Sequence, residues 1–261
     1  MPQLTAGQYL LVYNTFSLAI AAMLGSFVFF VLSRNLVGEK YRMSLILSSL
    51  VVGIAGYHYI RIFQSWDYAY TLMDGMANPT GTPFNDAYRY VDWLLTVPLL
   101  LAELVLVLRL PKKDGTPMLW KLVIAATAMI ILGYPGEIST DMTTRFIWGT
   151  LSSIPFVYIL YVLWIELGRS LPSQPEPVQK LVKNIRLLTL ATWGFYPITY
   201  CLPYFGIDPS NSVVSIQIGY AVADILAKCG YGIMIYNIAK LKTEFDNQSA
   251  GSVASPEAAA A

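Results

Sequence analysis

Charge is what this sequence is shortest of. Asp, Glu, Lys and Arg make up 13% of its 261 residues, where a soluble globular domain carries about 25%. The net charge is +1 and no basic stripe is present, so the chain has no electrostatic footprint for nucleic acid. Histidine occurs once, at His58, and cysteine twice, at Cys201 and Cys229, with no Cys-x-x-Cys. That leaves no ligand set for a metal. Both cysteines fall inside apolar segments and read as small buried hydrophobes. No nucleophile–base pair stands out, which disfavours an enzyme. No basic stretch or small-residue cleavage site precedes the first apolar run. That run is too long for a signal-peptide core and is expected to be a retained span.

Apolar side chains are abundant: 56% of residues, with a mean hydropathy of +0.53. About 20 apolar residues cross a bilayer as a helix. On that scale the sequence predicts seven spans, at 9–32, 43–63, 87–109, 119–135, 146–166, 187–204 and 213–239. The expected fold is therefore all-α, a seven-transmembrane-helix bundle over residues 9–245, after a short extracellular N-terminus at 1–8. Short connectors with Gly, Pro and Asn separate the spans: DGMANPTGTP (74–83), PKKDGTP (111–117), PSQPEP (172–177) and DPSNS (208–212). The low-complexity stretch 246–261 is expected to be a disordered cytoplasmic tail. Thirteen of the 17 Lys and Arg fall in the first, third and fifth connectors and the tail, and the opposite connectors hold only Arg145. By the positive-inside rule the amino terminus is outside and the carboxyl terminus cytoplasmic.

An ionisable group inside a span is costly and therefore a candidate functional residue. Six stand out: His58, Arg89, Asp92, Glu103, Asp224 and Lys228. In the third span Thr96 and Glu103 follow Asp92 at +4 and +11, within about 40° and 20° of its helical face. Glu103 lies about 16 Å deeper than Asp92, and Arg89 sits one turn outward. In GYAVADILAKCGYG (219–232) Asp224 precedes Lys228 by one turn. Arg89, Lys228, Asp92 and Asp224 form a nearly neutral set, the condition under which buried charge is tolerated. Salt bridges between helices would explain that pairing. They would not explain Glu103, which has no cation nearby in sequence; desolvation keeps such a carboxyl protonated, a state suited to a proton donor. A buried lysine amine readily forms a Schiff base.

The helix-3 string RYVDWLLTVPLLL (89–101), the Asp224–Lys228 pair and WGFYP (193–197) together resemble the microbial (type 1) rhodopsins over about residues 8–243. The resemblance implies that Lys228 carries all-trans retinal as a protonated Schiff base, which light isomerises to 13-cis. It makes Asp92 the primary counterion and proton acceptor, and Asp224 the second counterion. Trp93, Met129, Trp193 and Tyr196 would line the polyene, with Gly133, Trp148, Ser152, Ser153, Phe156 and Pro197 nearby. Asp92, Thr96 and Glu103 are similar to the Asp-Thr-Glu set of proteorhodopsin-like proton pumps, and Leu100 resembles the apolar residue of green-absorbing members. His58 matches a histidine that hydrogen-bonds the counterion in xanthorhodopsin-like members. Gly149 matches a glycine that opens a fenestration for a carotenoid antenna in the same group.

Two departures stand out. No glutamate for fast proton release lies at the outer end of the seventh span, and Tyr200 replaces a tryptophan often found there. The resemblance implies a light-driven outward proton pump, in which Arg89 helps pass charge outward and Thr96 ties Asp92 toward the cytoplasmic side by a hydrogen bond. It places the pump in the cell membrane of a bacterium, among lipids, as a homo-oligomer, trimer or pentamer. The alternatives are a sensory rhodopsin of the same fold, which steady proton flux would discriminate, and a retinal-free seven-helix receptor or transporter, which would absorb no visible light.

Overall fold

The computed structural model describes residues 1–201, 206 and 208–254. Helix α1 spans Ala6–Ser33 and α2 spans Arg42–Ala69. Helix α3 is Ala87–Leu108, α4 is Lys112–Glu137 and α5 is Met142–Tyr161. A π-helical turn, Val162–Glu166, carries α5 into α6, Leu167–Ser170. The sixth span is α7, Glu176–Trp193, continued after Gly194 by α8, Phe195–Tyr200. The seventh joins α9, Pro209–Asp224, to α10, Tyr231–Ala254, through a second π-helical turn, Ile225–Gly230. The result is the expected seven-helix bundle. Among the described residues six segments are long and apolar enough to cross a membrane. The sixth span is less apolar because α7 carries Lys180, Lys183 and Arg186.

The helices turn apolar side chains both inward and outward, as a bilayer requires. Val12, Phe16, Met23, Leu45, Leu101 and Leu122 are fully enclosed, while Leu18, Leu32, Ile124, Ile154 and Leu187 are exposed on the outer surface. Side chains cap the starts of α1, α5 and α9. Thr5 Oγ1 accepts from Gln8 N at 3.1 Å and Gln8 Oε1 accepts from Thr5 N at 3.0 Å, a reciprocal capping box. The Asp141 carboxylate caps α5 by accepting from Thr144 N, and that of Asp208 caps α9 by accepting from Ser210 N and Asn211 N.

Several boundaries differ from the sequence reading. Residues 4–5 and the second connector form a three-stranded antiparallel sheet. Strand β1 is Leu4–Thr5, β2 is Tyr70–Met73 and β3 is Met76–Pro79, in the order β1-β3-β2. Asp74 and Gly75 make the hairpin turn with φ of 52° and 76°, the left-handed pair of a type I′ turn. Helices α4 and α7 start seven and eleven residues before the predicted spans at 119 and 187. In α7 the reason is amphipathicity: Val178, Val182 and Ile185 face the core while Lys180 and Lys183 face out, a pattern that a search for apolar runs misses. The tail expected to be disordered from 246 instead continues α10 to Ala254. Asp246 anchors it, 2.9 Å from Lys40 Nζ and accepting from Tyr41 Oη at 2.8 Å. The rest of that tail, 255–261, and part of the predicted sixth span, 202–204, lie outside the described residues.

The sheet marks one end of the bundle, here the hairpin side. The other, where α10 ends, is the tail side. Arg89 and Asp92 lie toward the hairpin side of α3, and Glu103 toward its tail side.

Candidate functional site

The seventh span delivers Lys228 from the middle of its π-helical turn, with its side chain 2% exposed. Lys228 Nζ lies 2.6 Å from Asp92 Oδ2 and 3.0 Å from Asp224 Oδ1. The two carboxylates are held differently. Asp224 Oδ1 also accepts from Tyr196 Oη at 2.6 Å and Trp93 Nε1 at 3.2 Å, and its Oδ2 accepts from Tyr59 Oη at 2.8 Å. Asp92 Oδ1 is buried without a hydrogen-bond partner. A proton can therefore be placed on Asp92 without breaking a hydrogen bond, whereas both oxygens of Asp224 are engaged.

Arg89, 1% exposed, does not ion-pair with either of these aspartates. Its Nη2 donates to Gln217 Oε1, its Nη1 donates to Tyr59 Oη at 3.3 Å, and its Nε lies 3.5 Å from Asp86 Oδ1. The guanidinium also sits over the rings of Phe16, Tyr59 and Tyr220. Arg89 thus links to Asp224 through the Tyr59 hydroxyl. Thr96 Oγ1 donates to the main-chain carbonyl of Asp92 at 2.9 Å, so it fixes the helix backbone and not the carboxylate.

His58 is buried on α2, as Asp92 is on α3. No hydrogen bond joins the two, contrary to the pairing that the resemblance implied. His58 Nδ1 lies 3.0 Å from Ile54 O. A carbonyl can only accept, so Nδ1 carries the proton and a neutral ring has none on Nε2 to offer a carboxylate.

Glu103 is fully buried on the tail side. Its Oε2 accepts from Ser48 Oγ at 2.6 Å, and its Oε1 has no partner. Among the described residues no cation pairs with it.

A cavity of about 260 Å³ runs from Lys228 between α3, α4, α5 and the sixth span. Nine residues expected around a polyene line it, Trp93, Met129, Gly133, Ser152, Ser153, Phe156, Trp193, Tyr196 and Pro197, and so does Gly149, the expected fenestration glycine. Trp148 is the exception and packs instead against Gly136. Gly149 is required by close approach: a Cβ there would lie 2.9 Å from Tyr200 Cε1. Tyr200 is itself fixed, donating from Oη to Arg145 O at 2.6 Å beneath the Arg145 guanidinium. Beside Gly149 the wall includes Phe146, 67% exposed, so the cavity reaches the lipid-facing surface there.

The sequence profile described as bacteriorhodopsin-like protein matches residues 11–241. The chain belongs to that family. A green-light absorbing proteorhodopsin from Gamma-proteobacterium EBAC31A08 is 33% identical over 227 residues, covering 86% of this chain and 85% of the relative. The crystal structure of xanthorhodopsin, described as a light-driven ion pump with dual chromophore, superposes with a TM-score of 0.91. It is 56% identical and covers 95% of this chain and 99% of its own. The crystal structure of thermophilic rhodopsin gives 0.92 at 50% identity, covering 94% of this chain and 99% of its own. The protein is thus a membrane-embedded, multi-pass microbial rhodopsin of the proton-pump type, a light-driven ion pump and not a substrate-transforming enzyme. Family membership sets aside the retinal-free receptor.

For a microbial rhodopsin the site fits its chromophore. A long apolar slot with aromatic walls ends at one amine, and that amine is flanked by two carboxylates. Sequence reasoning missed several groups of this site. Tyr59, Ser48 and Gln217 hold Asp224, Glu103 and Arg89, and Tyr90, Ile130 and Tyr220 line the cavity. The prior signal for the polar ones was polarity within a span, which the other polar residues of the spans share, and Ile130 carried none.

Proposed function

We propose that the protein moves protons outward across a bacterial cell membrane, with its amino terminus outside and its carboxyl terminus in the cytoplasm. The observation that carries this reading is the asymmetry about Lys228 Nζ: Asp92 Oδ2 at 2.6 Å on one side and the buried, cation-free Glu103 on the other. Lys228 would hold all-trans retinal, which when bound would supply light absorption and a light-driven change in the proton affinity of the lysine nitrogen. Asp92 takes the proton from the Lys228 nitrogen, because its Oδ1 is unengaged. Asp224 stays anionic under its tyrosine and tryptophan donors and balances the charge. Arg89, joined to Asp224 through Tyr59 Oη, responds to the change in charge and passes it toward the hairpin side. Glu103 then returns a proton to the Lys228 nitrogen and refills from the cytoplasm. The aliphatic walls around it keep water out until that step.

The lipid-facing gap beside Gly149 suits the flat ring of a carotenoid antenna. Lipids surround the bundle, and it assembles as a trimer or pentamer. Illuminated vesicles of known orientation test the pump: sustained acidification of the outer-face compartment is expected, abolished by a protonophore. A Lys228→Ala control should be colourless. A coloured preparation whose two compartments never diverge in pH would instead be a photosensor. For the antenna, the fluorescence excitation spectrum of carotenoid-supplied protein should contain carotenoid bands that Gly149→Trp removes.

A further inference from the structure

Tyr231 opens α10 three residues after Lys228, about 4.5 Å further along the helix toward the tail side. Its side chain is 1% exposed, and its hydroxyl has no hydrogen-bond partner. A buried hydroxyl without a partner is costly, and the proton path described above does not use it. Glu103 is fully buried, with one oxygen held by Ser48 and the other, Oε1, free. The two elements meet: α10 packs against α3 and α2, and the Tyr231 ring belongs to the same buried apolar cluster as Leu100, Leu101 and Leu104, the α3 residues on either side of Glu103. An unspent donor and an unspent acceptor therefore share one dry compartment.

We propose that Tyr231 is a positioning residue for reprotonation: its hydroxyl donates to Glu103 Oε1 once Glu103 has given up its proton. The inference rests on the reading of Glu103 as proton donor. A neutral carboxyl is served by the single Ser48 hydrogen bond. The anion left after transfer needs more donors, and preorganised donors aimed at a developing charge are the most effective kind. The bond count balances. The Glu103 O–H bond breaks, an N–H bond forms at Lys228, and Tyr231 keeps its own proton while its hydroxyl and the new carboxylate draw together into hydrogen-bond distance. The resting state leaves the hydroxyl idle, so the donor acid is not stabilised before it is needed.

Tyr231→Phe removes one oxygen and keeps the ring. The visible absorption maximum and the early, Asp92-dependent proton transfer should be unchanged. The late reprotonation phase should slow roughly tenfold or more, the size expected for a hydrogen bond to a charged group. Infrared difference spectra supply a readout that a packing defect would not move. The carboxylate band of ionised Glu103 should shift in Tyr231→Phe, while the C=O band of protonated Glu103 at rest should not. A late phase at the wild-type rate, or a shifted resting C=O band, overturns the proposal. If Tyr231→Phe does not assemble, ring-labelled tyrosine in the unaltered protein decides: one tyrosine C–O band must shift as the Glu103 carboxylate appears, and none doing so overturns the proposal. Glu103→Gln separates the two levels. If it leaves the late phase untouched, the donor assignment itself fails. If it slows that phase and Tyr231→Phe does not, only the tyrosine role falls.

Discussion

On the hairpin side of Lys228, charged and hydroxyl groups interlock. Asp92, Asp224, Tyr59, Tyr196, Arg89, Gln217 and Asp86 are joined in one run of contacts that leads toward the surface. On the tail side the described residues of the same helices carry one buried acid, Glu103, with Leu100, Leu101, Leu104 and Val107 buried around it along α3. A hydrogen-bonded half can relay a proton at any time, whereas an apolar half can only hold one until something changes. The lesson is that direction need not come from a moving gate alone. It is written into which side of the amine has been given partners.

Substitutions can break that contrast, and the largest effect is expected at its centre. Asp92→Asn leaves the Lys228 nitrogen without its nearest acceptor, and light-driven acidification should fall by roughly 10²-fold or more, measured in illuminated vesicles. Asp224 cannot take over while Tyr59, Tyr196 and Trp93 occupy it. Glu103→Gln empties the dry half of its only acid. The visible spectrum should be kept, while the late photocycle phase slows by roughly 10-fold to 10²-fold; flash photolysis would detect it, and a small permeant acid should restore the rate. Ser48→Ala removes the 2.6 Å hydrogen bond to Glu103 Oε2. A loss of about 1 kcal/mol, or about fivefold in the same late phase, is expected. Thr5→Ala sharpens the comparison by touching neither half. It deletes the α1 cap, and stability should drop by about 1 kcal/mol, read by thermal bleaching, with photocycle kinetics unchanged.

The sequence made the charged groups of the site legible because charge is so rare in it. Asp92, Glu103, Asp224 and Lys228 each stand out against apolar neighbours, and the desolvation cost of a stray charge leaves few innocent explanations. Their supporting hydroxyls did not stand out. The chain has 18 tyrosines, and only the packing of α2 against the seventh span selects Tyr59 for Asp224. His58 illustrates the same limit from the other direction: its position was legible, but a hydrogen bond to its own helix decides where its proton sits. Helix ends were misplaced where the chain is amphipathic, as at 176–186, since apolar-run length is then the wrong measure. The short sheet was hidden because strands of two and four residues carry too little pattern.

The π-helical turn at Ile225–Gly230 has a practical corollary for engineering this helix. Such a turn accommodates about one extra residue, which rotates everything after it by about 100° relative to an uninterrupted α-helix. A heptad or helical-wheel projection drawn straight through the seventh span therefore assigns wrong faces from Tyr231 onward. Deleting one residue within the turn would let it close to an α-turn and keep the faces of α10, whereas the same deletion elsewhere in the segment would point lipid-facing side chains inward.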